Sequence, residues 1–285
     1  RQKLAPHWHT YWKNPGDAGA PPEIKLALPP GATASEIAWP GPDRIAVGPL
    51  VNFGYESEIV FPVTVQVPAN AQAGQTFPIE AQANWLVCER ECIPEEGTFR
   101  LDIPIAAGSK PASGDIVAAF ARTDTRQVIR APWDASISAE GQALRLNLNG
   151  DGLSSAVVRD AFFFPAEWGA VEHAAPQKVS VSDGRLSLTM ARGQALKTDA
   201  PVSGLLAVTD PAGQTRWLAI APRIGGTAGS TGASASAFAL PFWQAALFAF
   251  RSPFSKGVRP GLAGRLGPAG TEEPVLCAAS RWPKL

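Results

Sequence analysis

The chain has 285 residues, enough for two domains of ordinary size, each with its own core. Its 25 basic and 25 acidic residues cancel, which argues against nucleic acid as a partner. Proline and glycine, 27 each, and nine tryptophans favour a turn-rich β architecture, while only three cysteines exclude a disulfide-dense secreted scaffold.

The N-terminal segment holds His7 and His9, which alternate as strand neighbours do, and Trp8, Tyr11 and Trp12. Aromatic residues on such a strand are expected to fill a core or cover an edge rather than line a partner groove. Period-two alternation over residues 23–28 predicts a strand that stops at Pro29, Pro30 and Gly31. Residues 59–67 alternate in the same way, with Pro62 marking an edge or bulge position. Residues 77–87 and 98–105 alternate on either side of Cys88 and Cys92, which places both cysteines at the turn of a predicted hairpin.

The polar Pro/Gly stretch at 106–114 marks a domain boundary, and a short helix is predicted over 115–122, with Ile116, Val117 and Phe120 on one face. Strand signals resume at 143–148 and 185–190, beside the turns at 149–152 and 182–184. Residues 205–208 and 216–220 flank a further turn at 209–213. The fold class expected is all-β, with two β-sandwich domains over 1–108 and 113–224. His173 stands alone and reads as a surface residue.

Residues 225–237 are Gly, Ala, Ser and Thr, the composition of a flexible linker. The apolar run 238–250 falls short of the roughly 20 residues that a spanning helix needs and reads as the start of a truncated membrane segment. From Arg251 to Leu285 the composition turns to Arg, Gly and Pro without periodicity, predicting a disordered, non-native tail after a truncation or frame shift. Cys277 lies there and is given no catalytic role. An opening at Arg1, with the single methionine at Met190, predicts a processed or trimmed chain.

The pair Cys88 and Cys92 leaves three readings open. As a staple it closes a short loop and stabilises only modestly. As a metal site it needs more ligands; with His7 and His9 a Cys2His2 set is arithmetically available, but the spacing fits no common zinc pattern, and a two-thiolate Cu(I) site is the better metal reading. As a redox dithiol it needs access and rigid flanking strands. Glu89, Glu91, Glu95 and Glu96 raise the thiol pKa values while Arg90 opposes them. There is no phosphate loop, dinucleotide fingerprint or supported Ser-His-Asp arrangement, and no cofactor is expected.

Three segments, His-Trp-His-Thr-Tyr-Trp-Lys-Asn-Pro-Gly-Asp-Ala-Gly at 7–19, Phe-Gly-Tyr-Glu-Ser-Glu-Ile at 53–59 and Asn-Trp-Leu-Val-Cys-Glu-Arg-Glu-Cys-Ile-Pro at 84–94, share one resemblance. Together, in this order, they resemble the periplasmic N-terminal region of the DsbD/ScsB membrane thiol:disulfide interchange proteins, nearest the ScsB-like, suppressor-of-copper-sensitivity branch. The resemblance covers about residues 1–224 and implies immunoglobulin-like sandwiches carrying one redox pair. It further implies a protein-disulfide reductase module in the periplasm, associated with the inner membrane in the full-length family. Electrons would arrive through a thioredoxin-like domain of the same system and leave to a periplasmic thioredoxin-fold protein of the ScsC or DsbC kind. The family's wider contexts are cytochrome c biogenesis and copper tolerance.

Carried over by motif, Cys88 and Cys92 are the redox pair, Cys92 exchanges with partner thiols, and Phe53, Gly54 and Tyr55 form a cap loop that shields the pair. Two departures bear on the partner. Three residues separate the cysteines where DsbD has five, and Phe-Gly-Tyr replaces Phe-Tyr-Gly. The alternative from another class is a copper-binding or structural envelope module, with the cysteines as ligands or staple.

Overall fold

The computed structural model describes residues 1–108, 112, 114–196 and 202–224, together with the two-residue strand Ala278–Ala279. The expected linker at 225–237, membrane segment at 238–250 and tail at 251–285 lie outside the described residues, Ala278–Ala279 apart. Among the described residues no helix is long and apolar enough to cross a membrane.

In the first domain the alternation around the cysteines becomes a long hairpin. Thr76–Cys88 and Cys92–Pro104 pair antiparallel without a break, from Thr76 opposite Pro104 to Cys88 opposite Cys92. Two strands share the other edge of Thr76–Cys88: Glu23–Ala27 pairs with its middle, and His9 pairs with Cys88 at its end. The sheet continues through His9–Gly16 and Leu50–Glu56 to Asp43–Val47. Pro62 splits the expected strand at 59–67 into Glu58–Ile59 and Val65–Gln66, which join separate small sheets. A residue without an N–H cannot continue a ladder through the middle of a strand.

The helix forms as Asp115–Asp124, but its buried residues are Ala119 and Thr123, while Val117 and Phe120 are exposed. Polar contacts set this rotation. Thr123 Oγ1 accepts from the Val60 N–H at 3.2 Å, and Glu58 receives both Arg1 and Arg122.

The second domain is a sandwich of two sheets. One runs Val128–Arg130, Thr215–Ile220, Gly204–Thr209, Asp160–Pro165; the other runs Lys178–Ser182, Arg185–Ala191, Ala143–Asn149, Asp134–Glu140, Arg223–Ile224. Leu144, Leu146 and Leu148 stand beside Met190, Leu188 and Leu186 on the neighbouring strand of the five-stranded sheet, and all six are buried in its core. The architecture is all-β and immunoglobulin-like, as the sequence predicts.

The four-stranded sheet is buried on both faces. Phe163, Leu206, Val208, Leu218 and Ile220 point into the domain's own core, whereas Phe164, Leu205, Ala207 and Trp217 point at the first domain. A strand covered on both sides reads as an unbroken apolar run, which accounts for Ala161-Phe-Phe-Phe164 and Leu205-Leu-Ala-Val208. Trp12, Val51, Phe53, Tyr55 and Ile59 complete this seam from the first domain. Phe53 meets Phe164 edge-on at 4.9 Å and Phe162 at 6.1 Å; each such pair adds about 0.5–1.5 kcal/mol beyond area burial. Trp217 Nε1–H donates to Pro42 O across the seam, and Arg126 forks onto Asp43.

Candidate functional site

The hairpin turn of three residues, Glu89, Arg90 and Glu91, sets Cys88 and Cys92 directly opposite each other. Their Cα atoms are 4.2 Å apart and the sulfurs form a disulfide. Directly opposed residues in a non-hydrogen-bonded antiparallel pair stand about this close, so the ladder itself presents one sulfur to the other. Trp85 Nε1–H donates to Glu95 Oε2 at 2.7 Å across the same hairpin and ties its two strands just below the turn.

The two sulfurs have unlike surroundings. Cys88 is only 3% exposed, whereas Cys92 is exposed at the start of the outer strand. Tyr11, itself fully buried, donates its phenol O–H to Cys88 Sγ at 2.8 Å and lies 3.3 Å from Cys92 Sγ. Burial pushes the Tyr11 phenol up to about 12, so the group stays a hydrogen-bond donor throughout the neutral range. His9 packs edge-on to Tyr11 at 5.2 Å, and its Nε2 accepts from Asn52 Nδ2 at 3.1 Å. Desolvation lowers the His9 pKa, in keeping with a neutral ring whose Nε2 is free to accept.

Above the phenol, Gly19 lies so close that an added Cβ would stand 2.1 Å from Tyr11 Cζ. Its φ of +97° is a conformation that L side chains rarely adopt. The turn that carries Gly19 is held by Asp17, whose N–H donates to Val51 O and whose Oδ2 accepts from the Val51 N–H. Ala18 N–H donates to Asn52 Oδ1.

Phe53, Gly54 and Tyr55, expected as a cap loop over the pair, belong instead to the buried strand Leu50–Glu56. Gly54 stands opposite Tyr11, so the period-two rule turns Phe53 and Tyr55 to the other face, where they pack with Trp12 against the second domain. Tyr55 O–H donates to Pro40 O, and burial raises its pKa well above the ordinary value. Gly54 itself is too close to Thr10 O to accept a side chain. The aromatic group on the disulfide is therefore Tyr11, which the sequence reading left among packing residues. The signal available was its spacing of two from His9, which puts both rings on one strand face.

His7 and His9 do not share a side. His7 sits exposed in a turn with φ of 72°, and His9 is buried. Among the described residues no group of three or more His, Cys, Asp or Glu side chains is placed to hold a metal ion. His173, expected at the surface, is 3% exposed and reaches across the seam to Asp17 Oδ1 at 2.9 Å.

Residues 1–104 match the family model described as the N-terminal domain of the thiol:disulfide interchange protein DsbD. Among solved structures, the fold is similar to the crystal structure of the N-terminal periplasmic domain of ScsB from Proteus mirabilis. That match has a TM-score of 0.56 and 19% sequence identity, and covers 78% of this chain and 85% of the other. At that identity the likeness is one of fold, and its coverage extends well past the first domain. Comparison with curated proteins finds no match. A hairpin disulfide with one covered and one open sulfur thus occurs within residues 1–104, the region that matches the N-terminal domain model of the thiol:disulfide interchange protein DsbD.

Proposed function

We propose that this chain is the periplasmic exchange module of a thiol:disulfide interchange system, and that it passes two electrons to a disulfide-bearing exported partner. The asymmetry of the two sulfurs carries the reading: Cys92 is open to a docking protein, and Cys88 is held under Tyr11. In the dithiol form the Cys92 thiolate attacks one sulfur of the partner's disulfide. That S–S bond breaks, the departing sulfur leaves with the electron pair and takes up a proton, and a Cys92–partner mixed disulfide remains. Cys88 then attacks Cys92 Sγ, which re-forms the intramolecular disulfide and releases the partner as a dithiol. The same two steps in reverse, driven by a thioredoxin-like dithiol domain, recharge the pair.

The Tyr11 phenol suits the resolving step, because a protonated donor beside Cys88 stabilises the thiolate that must attack. A thioredoxin-fold acceptor of the ScsC or DsbC kind fits an exposed sulfur at a hairpin tip.

The test combines the reduction potential of the pair with trapping by Cys88→Ser. A potential well above about −300 mV, together with a mixed disulfide through Cys92, supports exchange. A potential below that figure with no trapped adduct returns the pair to the role of a structural staple.

A further inference from the structure

The second domain carries no chemistry of its own in the exchange reading, yet it reaches toward the redox pair through buried polar contacts. His173 Nδ1–H donates to Asp17 Oδ1 at 2.9 Å, and the ring packs edge-on to Phe53 at 5.0 Å. Its Nε2 is buried with no hydrogen-bond partner among the described residues. A phenylalanine would fill the same space without leaving a polar atom unsatisfied, so the distinct contribution of the imidazole is the Nδ1–H bond to Asp17.

Asp17 is the residue that fixes the turn over Tyr11. Its backbone and carboxylate both grip Val51, and two residues on, Gly19 lies against the phenol. The near end of the same turn is held from the second domain as well. Asn14 Nδ2 donates to Pro165 O at 2.9 Å, while Asn14 Oδ1 accepts from the Gly16 N–H at 3.1 Å. A turn anchored at both ends to the neighbouring domain presses on the ring whose hydroxyl touches both sulfurs.

We propose that His173 is a positioning residue for the redox pair: by latching Asp17 it holds the turn 16–19 against Tyr11, and so lets the second domain set how readily the Cys88–Cys92 disulfide is attacked. This rests on the exchange reading and assigns the second sandwich a part in it. The latch is made of contacts that cross the seam, so any partner that shifts the second domain would change the cover over the sulfurs.

The experiment is the rate at which dithiothreitol reduces the disulfide in the full 285-residue chain under native conditions. His173→Phe keeps the ring and removes the donor, and should speed reduction about tenfold, the factor that corresponds to one charge-assisted hydrogen bond. His173→Asn places an amide N–H where Nδ1 stood and should return the rate to within about twofold of wild type. Leu188→Ala, in the core of the second domain and outside the apolar cluster of the seam, controls for lowered stability and should leave the rate unchanged. The proposal is overturned if His173→Phe reacts at the wild-type rate, if Leu188→Ala accelerates reduction equally, or if His173→Asn fails to restore the rate. A wild-type chain that forms no mixed disulfide when Cys88 is Ser would sink the exchange reading itself, an outcome separate from these three.

Discussion

The strands His9–Gly16 and Leu50–Glu56 present two faces built by different rules. One face offers Asn52, hydrogen-bonded to His9, and Tyr11, which packs edge-on against His9 and places its hydroxyl on the disulfide sulfurs. The other offers Trp12, Phe53 and Tyr55, aromatic bodies pressed edge-to-face into the second domain. On the polar face the contacts are directional and reach the sulfurs through Tyr11. On the aromatic face the contacts add buried area and hold the two sandwiches together. Because residues alternate, both faces depend on one register, and a slip of one residue would exchange them. Chemistry and assembly are thereby fixed by the same pair of strands.

This contrast can be broken most completely at the sulfurs. Cys92→Ser should abolish mixed-disulfide formation, while Cys88→Ser should accumulate it, with mass spectrometry of non-reduced samples as the readout. On the aromatic face Trp12→Ala should cost about 3–5 kcal/mol in urea unfolding, because a fully buried ring is lost from the seam. The disulfide should still form in that variant.

On the polar face Tyr11→Phe keeps the ring and deletes the donor. A hydrogen bond to a charged group is worth about 1.5–3 kcal/mol, so the Cys88 thiol pKa should rise by about one to two units in the reduced protein. Thiolate absorbance across a pH titration measures it, and an unmoved titration would separate the phenol from the chemistry.

The two faces can also be compared by their tyrosines, the only two in the chain. Burial raises both, Tyr11 to about 12 and Tyr55 well above its ordinary value. The native state therefore holds these protons more tightly than the unfolded chain does. The stability that results is fully present below pH 10 and is lost as pH rises toward 12 and beyond. Phenolate absorbance should stay low at pH 10 in the native protein and appear there on unfolding.

Much of this was legible in the sequence where it depended on local order. The hairpin around Cys88 and Cys92 follows from alternation and turn residues, and the existence of the helix near 115, though not its buried face, follows from local apolar spacing. Distance in sequence hid the rest. Tyr11 and Cys88 are 77 positions apart, and His173 and Asp17 are 156 apart, so neither contact leaves a periodic trace. The cap reading of the Phe53-Gly-Tyr55 segment rests on motif resemblance alone, which says nothing of the strand face that its side chains take. Here that glycine is required by the close approach of Thr10 O inside a sheet.

The thirteen-residue strands of the hairpin have a consequence for the redox cycle. The ladder and the Trp85–Glu95 bond run up to the cysteines from below and do not depend on the bond between them. The disulfide closes only a small ring, worth about 2 kcal/mol in the chain-entropy account. Opening it should therefore change two atoms at a tip and little of the scaffold beneath. In the proposed exchange cycle such a hairpin would be reduced and reoxidised without refolding, so that a partner would sense its state at the sulfurs themselves.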